Sequence, residues 1–242
     1  MRISVIIPAF NEEKWIAACL RSVREAFAAI RAPEVVFGVI VVDNNSTDRT
    51  AELARERGAR VVFEPHNQIA RARNRGAQAS QADWLLFLDA DSTLSAGLLD
   101  ATLETIRRDN TIGGGASIRF PPGAKRIVKW SAGLWNRISR VFGLAPGSYL
   151  FCRADAFHEI GGFSEEFYCS EEIDFSLRLK RFGKQRGMGF VMLTHFPLLT
   201  SDRKERLYSW PVLLRFLFRA IAAPRKTMRD PDRCHMWYDG RR

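Results

Sequence analysis

The stretch Trp84-Leu85-Leu86-Phe87-Leu88-Asp89-Ala90-Asp91-Ser92 runs five large apolar residues straight into two carboxylates one residue apart. The apolar part is too short and too uniform for an amphipathic helix. It predicts a strand buried on both faces. Aspartates are costly beside a buried strand unless something offsets their charge. A divalent cation does so, because carboxylate oxygens suit Mg²⁺ or Mn²⁺ and the ion can also hold phosphate oxygens. The competing reading is a polar turn in which Ser92 caps the next helix, and a short Asp motif alone does not separate the two.

Around this run, strand and helix signals alternate. Residues 3–7, 35–42, 60–63 and 84–88 predict strands. Residues 11–30, 47–57, 69–79 and 94–108 predict helices, the first with Ile16, Leu20, Val23 and Phe27 on one stripe and Asn11 or an early Glu near its start. Repeated βα units with continuous apolar strands imply an α/β fold: a mostly parallel sheet with helices on both faces. Such sheets bind ligands beyond the carboxyl ends of their strands. After residue 110 the alternation fades. A strand is predicted from Gly113 to Phe120, a basic aromatic helix over 124–143, a strand over 147–152, a helix over 173–182 and a strand over 190–194.

A chain of 242 residues is one large domain or slightly more. No apolar run approaches the roughly 20 residues that span a bilayer, and the N-terminus reads as a first strand, not a secretory signal. Cys19, Cys152, Cys169 and Cys234 are scattered without C-x-x-C spacing, which fits a reduced, cytoplasmic protein. Residues 203–242 carry +7 of the net +10. That basic extension can meet phosphates, an anionic membrane surface or simply solvent.

In a parallel sheet, Asp43 at the end of 35–42 and Asp89 and Asp91 at the end of 84–88 reach the same edge. Asp43 can accept hydrogen bonds from a ribose or base, and Ser46, Thr47 or Asp48 can cap the following helix. Between them, Arg71, Arg73 and Arg75 alternate, so they cannot all face one way on a helix. One or two can reach a diphosphate.

Five motifs in order carry a specific resemblance: Ile6-Ile7-Pro8-Ala9-Phe10-Asn11-Glu12-Glu13, Val41-Val42-Asp43-Asn44-Asn45-Ser46-Thr47-Asp48, Ala72-Arg73-Asn74-Arg75-Gly76, Phe87-Leu88-Asp89-Ala90-Asp91, and Ile160-Gly161-Gly162-Phe163 followed by Ser170-Glu171-Glu172-Ile173-Asp174. Together they resemble the family 2 glycosyltransferases over residues 3–185. The resemblance implies the Rossmann-like A-type nucleotide-diphospho-sugar transferase fold and transfer of a sugar from a nucleoside-diphosphate donor to an acceptor hydroxyl; it favours inversion, although retaining enzymes share this fold. The change of pattern after residue 110 and the basic tail divide the chain into a nucleotide-sugar-binding half (1–110), an acceptor-binding and catalytic half of the same domain (111–202) and a basic amphipathic C-terminal extension (203–242). Pro8, Phe10, Glu12, Asp43, Asn45, Arg73, Asn74 and Asp89 are expected around the donor. Asp91, with Asp89 close by, is expected to hold Mn²⁺ or Mg²⁺. The family pair after the Gly-Gly-Phe loop is Glu-Asp. Here it is Glu171-Glu172, so Glu172 takes the place of the base, and the longer side chain keeps Glu171 in competition. Asp174 and Arg178, four apart, suit an ion pair. His195, after the strand over 190–194, is a candidate further metal ligand, although a lone histidine there is more often structural. Ser201, Arg203 and Lys204 form a polar loop able to close over the diphosphate.

Two basic amphipathic stretches, 125–142 and 210–226, mix Lys and Arg with Trp, Phe and Leu. They suit an anionic bilayer, where a lipid-linked acceptor would be met, or equally the packing of the domain or of a second subunit in a homo-oligomer. Two rival functions remain. Asp89-Ala90-Asp91-Ser92-Thr93 also fits the nucleophile motif of haloacid-dehalogenase-type phosphatases, but it follows the fourth strand and no later paired-Asp motif appears. A non-catalytic nucleotide-binding or membrane-docking module is opposed by the carboxylates at 171 and 172. No nucleic-acid-binding module is recognisable.

Overall fold

The computed structural model describes all residues except 31, 204–206, 208–211, 213–214, 216–217, 220–222 and 239–242. Seven strands form one sheet: β1 (Arg2–Ala9), β2 (Val36–Asp43), β3 (Arg60–Phe63), β4 (Trp84–Leu88), β5 (Thr111–Arg119), β6 (Tyr149–Arg153) and β7 (Gly189–Leu199). Their order is β3-β2-β1-β4-β6-β5-β7. All neighbours are parallel except β6, which runs antiparallel to β4 and β5. This is an α/β fold with a mixed, mostly parallel sheet, and the sheet is continuous through the two halves the sequence suggests.

Strand alternation accounts for the two-sided core. Ile3, Val5 and Ile7 of β1, with Leu86 and Leu88 of β4, face one layer; Ile6, with Leu85 and Phe87, faces the other. The first layer packs against α1 (Ile16–Ala29) and α4 (Ala96–Ile106), the second against α3 (Ile69–Gln78), α6 (Ala154–Glu159) and α7 (Glu171–Gln185). Between β2 and β3 runs α2 (Thr50–Glu56); between β5 and β6 runs α5 (Arg126–Phe142). Gly76 lets α3 lie close to the sheet, since a Cβ there would run into the Ile6 side chain.

Several boundaries differ from the expectation, each for a local reason. Asn11 has φ +53° and belongs to a loop; the Glu12 carbonyl accepts from the Trp15 and Ile16 amides, and α1 begins only at Ile16. Ser95, not Ser92, caps α4 by accepting from the Leu98 amide at 3.2 Å, while Ser92 bonds to Thr200. β7 continues to Leu199, because after an irregularity it re-pairs Ile118 and Arg119 with Leu198 and Leu199. His195 therefore lies within a strand, not after one.

Past residue 203, α8 (Pro224–Met228) and α9 (His235–Tyr238) fold back on the loop before α7. The Tyr168 amide donates to the Met228 carbonyl at 2.7 Å, and the Tyr238 hydroxyl donates to the Tyr168 carbonyl at 2.6 Å. The Cys169 and Cys234 thiols, distant in sequence, are buried in contact. The amphipathic stretch 210–226 lies largely outside the described residues. Among the described residues, no helix is long and apolar enough to cross a membrane.

Candidate active site

The carboxyl ends of β1, β2 and β4 meet the N-terminal ends of α3 and α7 at one edge of the sheet. Asn11, Asn45 and Ser170, three non-glycine residues in the left-handed region, all sit in the loops there. The loops interlock. The Asn11 amide donates to the Ser46 hydroxyl, and the Thr47 amide donates to the Asn11 side chain at 2.8 Å. The Asp48 carboxylate accepts from the Thr50 amide at 2.9 Å in the turn leading into α2, whose N-cap residue Arg49 makes no side-chain cap.

Arg73 joins the two halves. Its guanidinium is buried and donates to Glu171 at 2.6 Å, to Asp89 at 3.2 Å and to the Gly147 carbonyl at 2.7 Å, with Phe163 beneath it at 5.2 Å. Burial alone would lower its pKa, but Glu171, Asp89 and Glu172 outweigh that and raise it. Its Nε is buried with no hydrogen-bond partner among the described residues. Glu171 is buried in this pair, whereas Glu172 is half-buried. A cavity of about 410 Å³ is lined by Arg73, Asp89, Asp91, Gly147, Glu171 and Glu172, with Ile118, Phe120, Ser131 and Trp135 on its far wall. That volume suits a small ligand group.

Asp91 sits where this cavity meets two others. One is a narrow cleft of about 80 Å³ lined by Pro8, Phe10, Glu12, Asn44, Asn67, Asp89, Asp91 and Arg203. The other, of about 280 Å³, lies between Trp15 and the 199–203 loop. Arg203 closes the cleft, donating to both Glu12 oxygens at 2.9 and 3.2 Å with Asp91 Oδ2 at 3.5 Å; Ser201 donates to the same Oδ2. Desolvation works against the Arg203 charge, but Glu12 and Asp91 raise its pKa. At about 80 Å³ the cleft is smaller than a typical ligand site of about 300–1,000 Å³.

Pro8, Phe10, Glu12, Arg73, Asp89, Asp91, Glu171, Glu172 and Arg203 are thus brought together. Other expected residues are engaged elsewhere. Asp43 accepts from the Ser46 amide at 3.0 Å within its own turn, and neither Asp43 nor Asn45 lines these cavities. Asn74 pairs with Phe163 in both directions at 2.9 Å, pinning the Gly161-Gly162-Phe163 loop; a Cβ on Gly162, whose φ is +65°, would meet Asn74 Oδ1 at 2.7 Å. Arg178 pairs with Asp174 at 2.7 Å and donates to the Ile160 and Gly162 carbonyls, bracing the same loop. Arg71 pairs with Glu165, and Arg75 is exposed. His195 is exposed within β7 and lines none of the three cavities. Asn44, Asn67, Trp135 and Gly147 escaped the sequence reading; only Asn44, inside the 41–48 motif, carried a signal.

The donor set fits a divalent cation shared with a ligand. Among the described residues no three His, Cys, Asp or Glu converge as a closed metal cage. Mg²⁺-type sites commonly use one or two carboxylates plus substrate phosphates. Asp91 meets that need: both its contacts fall on Oδ2, and among the described residues Oδ1 has no donor.

The profile of glycosyl transferase family 2 matches residues 4–157. The chain is 27% identical to Glycosyltransferase AglE of Haloferax volcanii over 187 residues, 73% of this chain and 60% of that protein's length. The mannosyltransferase PcManGT from Pyrobaculum calidifontis, solved with GDP-Man and Mn²⁺, superposes with a TM-score of 0.68 at 16% identity, covering 97% of this chain and 68% of that one. S. aureus TarS 1-349 in complex with UDP-GlcNAc superposes with a TM-score of 0.63 at 20% identity, covering 98% and 69%. These two likenesses establish the fold.

Proposed function

The chain belongs to glycosyl transferase family 2, and from that premise we propose that it transfers a sugar from a nucleoside-diphosphate donor to an acceptor hydroxyl with inversion, Glu172 acting as the base. The observation that carries this reading is the division of labour between adjacent glutamates. Glu171 is buried against Arg73, while Glu172 lines the cavity that Asp91 shares. The nucleotide enters along Pro8, Phe10 and Glu12, with the diphosphate toward Asp89 and Asp91. Asp91 would hold Mn²⁺ or Mg²⁺ there, with Asp89 beside it. A cation so held supplies Lewis-acid stabilisation to the departing diphosphate. Solved relatives of this fold carrying GDP-Man with Mn²⁺, or UDP-GlcNAc, support a donor of this class.

Each remaining group has a task. Glu172 takes the proton of the acceptor hydroxyl as its oxygen bonds to the anomeric carbon and the bond from that carbon to the diphosphate oxygen breaks. Arg73 holds Asp89 and Glu171 in register, so it is a positioning residue. Arg203 must leave Glu12 and Asp91 for the diphosphate to enter, and can then donate to it. Residues 1–110 form the donor half and 111–202 the acceptor half of one domain. The family 2 match and the two fold likenesses favour this over a phosphatase built on Asp89.

Transfer from a nucleotide sugar with Mn²⁺, followed by release of nucleoside diphosphate, tests the assignment. Glu172→Gln is expected to lower turnover about 10²–10⁴-fold with donor affinity nearly unchanged. If Glu171→Gln keeps the fold and does this while Glu172→Gln does not, the base is the other carboxylate.

A further inference from the structure

The helix that walls the acceptor side of the cavity has a second face. Ser131 and Trp135 of α5 line the cavity, and Val128, Ala132 and Ser139 are buried. Asn136 pins α5 to the end of β5, exchanging hydrogen bonds with Ile118 at 2.8 and 2.9 Å. Its orientation leaves Ile127, Trp130, Leu134, Ile138 and Val141 exposed, Trp130 by 66% and Val141 by 70%. At 100° per residue these five fall on one stripe along the whole helix. Arg126, Arg137, Lys129 and Arg140 lie along one side of it. No Asp or Glu occurs between residues 124 and 143. None of the three arginines has a carboxylate partner among the described residues.

We propose that this face of α5 docks the protein on an anionic bilayer, with Trp130 and Leu134 entering the interface and the flanking arginines on the lipid phosphates. Charge complementarity selects that occupant. A continuous apolar stripe beside unpaired cations is the pattern of an interfacial helix, which adds apolar insertion to attraction by acidic lipid. The docked helix also sets the cavity mouth at the membrane. Resting on the glycosyltransferase reading above, the acceptor is then an amphiphile whose hydroxyl-bearing head enters between Trp135 and Glu172 while its apolar part stays in the bilayer.

Sedimentation of the full chain with vesicles of phosphatidylcholine, alone or with phosphatidylglycerol added, tests the surface. The wild type should partition to the anionic vesicles and only weakly to the neutral ones. Arg126→Ala with Arg137→Ala should weaken partitioning roughly fivefold per cation removed and flatten its salt dependence. Trp130→Ser with Leu134→Ser should remove most of the part that salt leaves intact. Both pairs are exposed, so melting temperature and nucleotide binding should hold. The assay contains neither donor nor acceptor, so it reads docking whether or not the chain transfers sugar. Wild type that stays in solution, or stripe variants that sediment like it, overturns the proposal. A concentration-dependent dimer lost in the stripe variants, without vesicle binding, assigns the face to a second copy and overturns it as well.

Discussion

Replacing Arg73 with Met removes the guanidinium that Glu171 is buried against, and the consequence can be scaled from its surroundings. The side chains of Arg73 and Glu171 are each only 3% exposed, whereas Asp89 is 36% exposed. Water can take over at Asp89, so that contact contributes little. Glu171 is left as an uncompensated buried charge, and breaking such a pair costs about 3–5 kcal/mol. Against a typical domain stability of about 5–15 kcal/mol this is a large fraction, and it corresponds to a fall in melting temperature of roughly 6–20 °C for a chain of this size. The double variant Arg73→Met/Glu171→Leu removes both charges. It should regain most of the loss, because apolar replacement of a whole buried pair is often neutral or better, and Phe163 offers the Met sulfur an aromatic neighbour. Urea unfolding followed by tryptophan fluorescence, at a constant slope against denaturant, measures both variants. A single-variant loss below about 1 kcal/mol, the range of exposed pairs, or a double variant as unstable as the single, would refute the argument.

Two further outcomes follow from the contacts. Arg203→Ala removes the fork that spans Glu12 and Asp91. If Arg203 turns to the diphosphate, this removal of its donors should lower turnover by about 10²–10³-fold, read by steady-state transfer kinetics; unchanged kinetics would leave Arg203 as a structural latch alone. Contact with Cys234 and burial raise the pKa of the Cys169 thiol, burial and the nearby Asp91 and Asp89 raise that of Cys19, and burial raises that of Cys152. All four thiols are buried, so all four should resist a disulfide reagent in the folded protein and react only on unfolding. Rapid labelling of Cys234 in the native chain would mean that the 228–238 segment is not held against the loop before α7.

Much of this sheet edge was legible because its signals are local. Five apolar residues ahead of Asp89 and Asp91 predict a buried strand that delivers carboxylates to the sheet edge, and 84–88 is where β4 lies. The i,i+4 pair of Asp174 and Arg178 is likewise present. What was not legible depends on contacts far apart in sequence. Nothing near residue 73 says that Arg73 will meet Glu171, 98 residues later. Asn74 sits in a motif expected to meet the donor, yet its amide satisfies the backbone of a loop at Phe163. The extension of β7 past Thr194 comes from pairing with β5, not from strand propensity, and it carries His195 with it. The apolar stripe of α5 was visible as composition, but which face would be left outside was settled only by Asn136 and Ile118.

In the proposed mechanism Asp91 joins a divalent cation to the diphosphate of a nucleotide donor. Thermal unfolding with UDP or GDP, with Mn²⁺ and with chelator, measures it in the intact chain. A nucleotide at 100 times its Kd adds about 2.7 kcal/mol, or roughly 5–11 °C for a chain of this length. That shift is expected in the wild type only when Mn²⁺ is present, and its loss is expected in Asp91→Asn with the ligand-free melting temperature kept. Equal stabilisation in chelator, or a full metal-dependent shift in Asp91→Asn, would contradict it.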